Sequence, residues 1–91
     1  MLSMECVLLE PTGSVFSGKA RFVAAETTGG WVGILPRHAP AAFPMEGGLL
    51  RIRTSQGEHR YRVGQGVLWV EPRGVTILAE RVEALDDEGT G

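Results

Sequence analysis

Short apolar runs separated by glycine- and proline-bearing turns recur from one end of the chain to the other. Met4–Glu10 alternates loosely and stops at Pro11-Thr12-Gly13, a turn. Residues 15–25 read as one long strand, broken near Ser17-Gly18, where a glycine inside a strand predicts a bulge. Thr27-Thr28-Gly29-Gly30 is a loop, residues 31–35 form a short strand stopped by Pro36, and residues 39–43 an extended piece between two prolines. Glu46-Gly47-Gly48 then turns the chain into residues 49–54. Residues 67–71 and 75–80 are two more strands around Pro72-Arg73-Gly74, with Leu68, Val70, Val75 and Ile77 inward and Trp69 on either face.

The clearest unit is the hairpin of residues 49–54 and 58–63 around Ser55-Gln56-Gly57. With Gln56-Gly57 as a two-residue turn, Thr54 pairs with His59, Ile52 with Tyr61 and Leu50 with Val63, an apolar face for the core. The opposite face then pairs Arg53 with Arg60 and Arg51 with Arg62. Like charges directly opposed repel. The expectation is therefore an outward patch, partly neutralised by Glu58 or Glu71, that helps to dock a partner.

No helical period lasts beyond a turn or two, and there is no heptad or internal repeat. Thirteen glycines and five prolines among 91 residues agree with a chain built of strands and turns. The expected fold is all-β: a flattened sandwich or barrel of about ten short strands in two five-stranded sheets, spanning residues 1–85. An acidic tail, residues 86–91, follows it. Hydrophobic residues at 43% and charged ones at 22% describe a globular protein. A net charge of −2 disfavours binding of nucleic acid or anionic lipid by charge alone. A single cysteine, Cys6, excludes an intrachain disulfide and reads as a buried thiol. The opening residues lack the basic start of a signal peptide, and no apolar run is long enough for a membrane span.

Catalytic parts are missing. Cys6, His38 and His59 are dispersed singles, with neither the spacing of a metal site nor the base and orienting acid of a nucleophilic triad. Gly29-Gly30-Trp31-Val32-Gly33 lacks the spacing and the Lys-Ser/Thr end of a phosphate loop. No cofactor or metal is expected. His38, between Arg37 and Ala39-Pro40, suits a turn-stabilising or a partner-contact role about equally, and catalysis less well. The arginine face leaves a second class open, a small OB-like barrel that binds single-stranded nucleic acid. Tyr61 falls on the apolar face, however, and no aromatic reading strand accompanies the arginines.

One stretch is distinctive. Gly30-x-x-Gly33-Ile34-Leu35-Pro36-x-His38-Ala39-Pro40 resembles the G-x-x-G-I-L-P-G-H-A-P signature of the ATP synthase epsilon subunit family, called delta in mitochondria. Further pieces fall in the family's order: Val15-Phe16-Ser17-Gly18, Gly48-Leu49-Leu50-Arg51-Ile52, Tyr61-x-Val63-x-x-Gly66-Val67-Leu68-x-Val70 and Val75-Thr76-Ile77-Leu78-Ala79. The match runs from about residue 4 to residue 84.

The resemblance implies the family's N-terminal β-sandwich and a non-catalytic role at the foot of the central rotor stalk. There it would link the gamma subunit, and through it the catalytic head, to the c-ring. The location implied is peripheral, on the cytoplasmic face of a bacterial cell membrane, without insertion into lipid and without nucleic acid. By the same resemblance Thr27, Thr28, Gly29, Gly30 and Trp31 face the ring, and Arg37, His38, Ala39, Pro40, Phe43, Met45 and Glu46 face gamma. The arginine patch of Arg51, Arg53, Arg60 and Arg62 is a further docking candidate. Trp31 stands where an acidic residue is common, Gly47 where a proline is, and Trp69 where a glutamate is. Arg37 stands where glycine is usual, which argues against a left-handed backbone there and for a charge-assisted contact. Family members usually continue into two C-terminal helices. Without them, helix-mediated inhibition and nucleotide sensing are expected to be absent.

Overall fold

The computed structural model describes residues 2–85. Eight strands make up that span: β1 (Met4–Glu10), β2 (Gly13–Ala20), β3 (Phe22–Thr27), β4 (Gly30–Ile34), β5 (Ala41–Thr54), β6 (Gly57–Glu71), β7 (Gly74–Ala79) and β8 (Val82–Ala84). They follow one path, β2-β1-β7-β6-β5-β3-β4, with β8 added to β6. The expected all-β class holds. The count of ten reduces to eight because residues 41–54 and 57–71 each run on as one long strand.

Those two strands create the sandwich. The first half of β5 pairs with the second half of β6, Ala41–Val70 to Glu46–Gln65, and that part of β6 pairs with β7, β1 and β2 in turn. The second half of β5, from Gly48 to Thr54, pairs with the first half of β6 and with β3, which carries β4, while β8 closes on Tyr61–Val63 of β6. Each layer thus holds five strand segments. The crossing falls at Gly47 and Gly48, with φ of 119° and 147°, conformations open to glycine and strained for other residues.

Inward residues of both layers meet in one apolar core. Cys6, Leu8, Leu68, Val70, Val75 and Ile77 come from the first layer; Val23, Ile34, Leu50, Ile52, Tyr61 and Val63 come from the second. No polar or charged side chain is buried among the described residues. Alternation along each strand places these positions, because successive side chains leave opposite faces.

Three details depart from the sequence reading. The break in residues 15–25 falls at Arg21, whose N–H donates to the Arg53 carbonyl at 2.8 Å as the chain passes between layers. The bulge lies at Val15, since Leu8 pairs with Phe16 and Leu9 with Ser14. In the hairpin the turn is Ser55-Gln56, with Gly57 at φ 130° closing it. The register is therefore shifted by two residues: Leu50 faces Tyr61, Ile52 faces His59, Arg51 faces Arg60 and Arg53 faces Glu58. A shift of two keeps every side chain on its expected face, so Arg51, Arg53, Arg60 and Arg62 all point outward. The expected tail, residues 86–91, lies outside the described residues.

Candidate interaction surfaces

The β3–β4 hairpin tip is held by one hydroxyl. Thr27 Oγ1 donates to the Gly30 carbonyl at 2.7 Å and accepts the Gly29 N–H at 3.1 Å, with Gly30 at φ 109°. The Thr28 N–H donates to the Pro44 carbonyl at 3.0 Å, tying the tip to β5. The structure brings Thr27, Thr28, Gly29 and Gly30 together as a compact tip. Trp31 leaves it, because it stands opposite Glu26 on the outer face of the second layer and is 52% exposed there. It lines a hollow of about 190 Å³ with Leu49, Arg51, Arg60 and Leu85.

The segment after β4 is a tight turn. The His38 N–H donates to the Leu35 carbonyl at 3.1 Å, Pro36 takes the second position, and Arg37 takes the third at φ 70°. That is the pattern of a type II turn, whose third residue is normally glycine. The left-handed backbone argued against on the identity of Arg37 is therefore present. The tertiary path from one layer to the other overrides the local preference. His38 is half-buried, and its Nδ1 lies 2.8 Å from the Ala39 carbonyl, which can only accept, so Nδ1 carries the proton. Arg37, Ala39, Pro40 and Glu46 are exposed, whereas Phe43 is half-buried against the core. Met45, expected to face a partner, is 3% exposed and points into the core, so it offers a partner no surface.

On the arginine face one carboxylate serves two guanidinium groups. Arg51 Nε donates to Glu58 at 2.8 Å, and Arg53 Nη2 approaches the same carboxylate at 3.5 Å. The Arg51 hydrogen bond is the main cause that lowers the Glu58 pKa from its ordinary value. Glu71 belongs to the other half of β6, in the first layer, and takes no part. Two aromatic residues that the sequence reading did not place beside the arginines share this face. Arg53 lies over the Phe22 ring at 5.6 Å, and Trp31 stands beside Arg51 and Arg60. Only the β3–β4–β5 pairing places them there.

The outer face of the first layer was not foreseen at all. Strand pairing sets Pro44, Val67, Leu78 and Leu9 in one row across four strands, and Ala42, Trp69, Thr76 and Val7 in the next. Trp69 is 48% and Leu78 40% exposed. Beside them a groove of about 430 Å³ runs between Leu9, Pro11, Val67 and Leu78, with Glu10 and Glu80 among its walls. The available signal was the unbroken apolar run from Val67 to Val70. A strand apolar on both faces has something to cover each of them.

The remaining candidate chemistry is scattered. The Cys6 thiol is buried, and desolvation pushes its pKa up to about 12. His59 packs its ring against Phe16, with centroids 5.2 Å apart. Among the described residues, no three His, Cys, Asp or Glu side chains group as a metal site.

Residues 3–85 match the family model of the ATP synthase Delta/Epsilon chain, beta-sandwich domain. The ATP synthase epsilon chain of Hydrogenovibrio crunogenus is 40% identical over 88 residues, covering 93% of this chain and 61% of that one. That of Acinetobacter baylyi is 36% identical over 91 residues, covering 96% and 66%. The chain thus spans 61–66% of the length of these relatives. Among solved structures, a chain of the Euglena gracilis mitochondrial ATP synthase (OSCP/F1/c-ring) superposes with a TM-score of 0.84 at 17% identity, over 96% of this chain and 58% of that one. A chain of the Tetrahymena thermophila mitochondrial ATP synthase central stalk and c-ring gives 0.77 at 16%, over 90% and 66%. At such identities the two structures establish the shared fold.

Proposed function

Because the chain belongs to the ATP synthase delta/epsilon family, by its beta-sandwich domain, we propose that it is a non-catalytic rotor subunit of the central stalk of an F-type ATP synthase. In this role it binds the gamma subunit and the c-ring, so that ion-driven rotation of the ring passes to the catalytic head. It works peripherally, on the cytoplasmic face of a bacterial cell membrane.

The observation that carries this reading is the outer face of the first layer. Two adjacent rows of Pro44, Val67, Leu78, Leu9, Ala42, Trp69 and Val7 leave large apolar side chains in water. Contiguous apolar surface of this kind marks protein contact, and an exposed tryptophan at its centre is the usual energetic anchor. The gamma subunit is assigned to this face, with Arg37, Ala39, Pro40 and Glu46 at its margin and His38 shaping the turn. The ring is assigned to the compact tip of Thr27, Thr28, Gly29 and Gly30, with Trp31 alongside. The structural neighbour from Tetrahymena belongs to an assembly of a central stalk with its c-ring, which agrees with a place at the stalk beside a ring.

The test is co-elution in gel filtration with full-length gamma subunit from the same source. A stable complex without ATPase turnover by this chain alone is expected. A chain that stays in the monomer fraction at micromolar gamma overturns the assignment.

A further inference from the structure

Arg37 is the only non-glycine residue with positive φ among the described residues. A side chain at that turn position crowds the backbone and strains it, and glycine would not. The path of the chain holds this backbone, and no side-chain contact of Arg37 within the described fold adds to it. Arg37 is exposed, and its guanidinium makes no hydrogen bond, ion pair or ring contact there. Among the other exposed cations, Lys19 holds Glu5 at 2.8 Å and Arg51 and Arg53 share Glu58, while Arg21, Arg62, Arg73 and Arg81 form no such pair within the described residues; what sets Arg37 apart is its backbone.

Its place in the fold gives the residue a use. The turn leads from β4 in the second layer to β5 in the first, and the chain then enters the apolar rows at Ala42, opposite Trp69. Leu35, 58% exposed, opens the same turn. Arg37 therefore lies in the short segment that leads into the apolar face, and carries an exposed planar five-donor group on a turn that Pro36 preorganises.

We propose that Arg37 is the charged anchor of this interface, pairing its guanidinium with a carboxylate on the gamma subunit that covers the apolar face. The proposal rests on the rotor reading above and adds the chemistry of the partner at this turn. A carboxylate is the matching group because it accepts two parallel N–H bonds from a guanidinium, a geometry lysine cannot reproduce. Such a pair also fixes how the partner is turned over an otherwise non-directional apolar surface.

The experiment measures binding of wild type, Arg37→Gly, Arg37→Lys and Arg37→Gln to the purified gamma subunit at low and high salt, with a thermal melt of each free chain. Arg37→Gly is expected to melt above the wild type yet bind about tenfold more weakly. A residue with a merely structural role would move both readings the same way. Arg37→Lys should recover only part of the affinity, and Arg37→Gln should flatten the salt dependence. Wild-type binding that Arg37→Gly leaves unchanged overturns this inference and spares the rotor reading. A wild-type chain that does not bind gamma overturns both.

Discussion

Glu26 accepts the backbone N–H of Leu49 at 2.7 Å, just past the last β3–β5 rung, Ala25 with Leu50. The carboxylate takes the place of the next rung where β5 crosses between layers, and it lies over Gly48, where an added Cβ would collide with it. Removing the acceptor leaves a half-buried N–H without a partner, a loss of about 1–3 kcal/mol. Glu26→Ala should accordingly lower Tm by roughly 4–8 °C per kcal/mol, and Glu26→Gln, which keeps an acceptor, by much less. Equal losses in the two variants would show that the charge matters, and not the neutral hydrogen bond or the stem.

Gly66 and Gly57 should respond very differently to alanine. A Cβ at Gly66 would overlap the Leu78 carbonyl and lie 2.8 Å from the Ala79 Cα, so β6 and β7 would have to part. At Gly57 it would meet nothing within 4 Å, and only the φ of 130° opposes it. Unfolding free energies from urea titration should fall by about 1 kcal/mol for Gly57→Ala and by about 3 kcal/mol or more for Gly66→Ala. The reverse order would show that the β6–β7 approach is not as close as described.

Glu58 makes stability depend on acid. Its pKa is lowered in the fold, chiefly by the Arg51 hydrogen bond. Its contribution is thus fully present above the unfolded value of about 4.3 and is lost as pH falls through the folded value. Wild type should exceed Glu58→Gln by about 0.5 kcal/mol at pH 7, and the difference should shrink progressively as pH falls below the unfolded value. A gap that does not change as pH is lowered through the acid range would assign the effect to packing.

The Cys6 thiol is fully buried, and its pKa is pushed up to about 12 by desolvation. A thiolate-selective reagent at pH 8 should leave the native chain unmodified and label it in denaturant, since the thiolate is the reactive form. Labelling of the native chain at the rate of a free thiol would contradict its place in the core.

The two tryptophans are both about half exposed, yet they lie on opposite outer faces. Trp69→Ala should weaken gamma binding by more than about 30-fold, as for a central anchor, while Trp31→Ala should change it less than about threefold. The opposite result, read by titration calorimetry, would move the gamma contact to the arginine face.

Much of the fold was legible in local pattern. Alternation in residues 49–54 and 58–63 put Arg51, Arg53, Arg60 and Arg62 outward, and this survived a register error because that error was two residues. The turns at Pro11-Thr12-Gly13 and Thr27–Gly30 were equally clear, since each ends on a glycine with positive φ. What failed was judgement of exposure within the proposed contact segment. Met45 alternates with Pro44 and Glu46 and gives no local sign of which side is core.

By itself the sequence determined the all-β class, the turn positions, the face each hairpin residue takes and a family resemblance carried by short motifs. These are local properties, set by side-chain alternation, glycine conformation and residue order. Only the tertiary structure decided that β5 and β6 serve both layers, that an apolar outer face assembles from four strands, and that Arg37 adopts a left-handed backbone. Each of those depends on segments distant in the chain meeting at a particular register. Period-two alternation says which side a residue takes, but not which strand lies beside it.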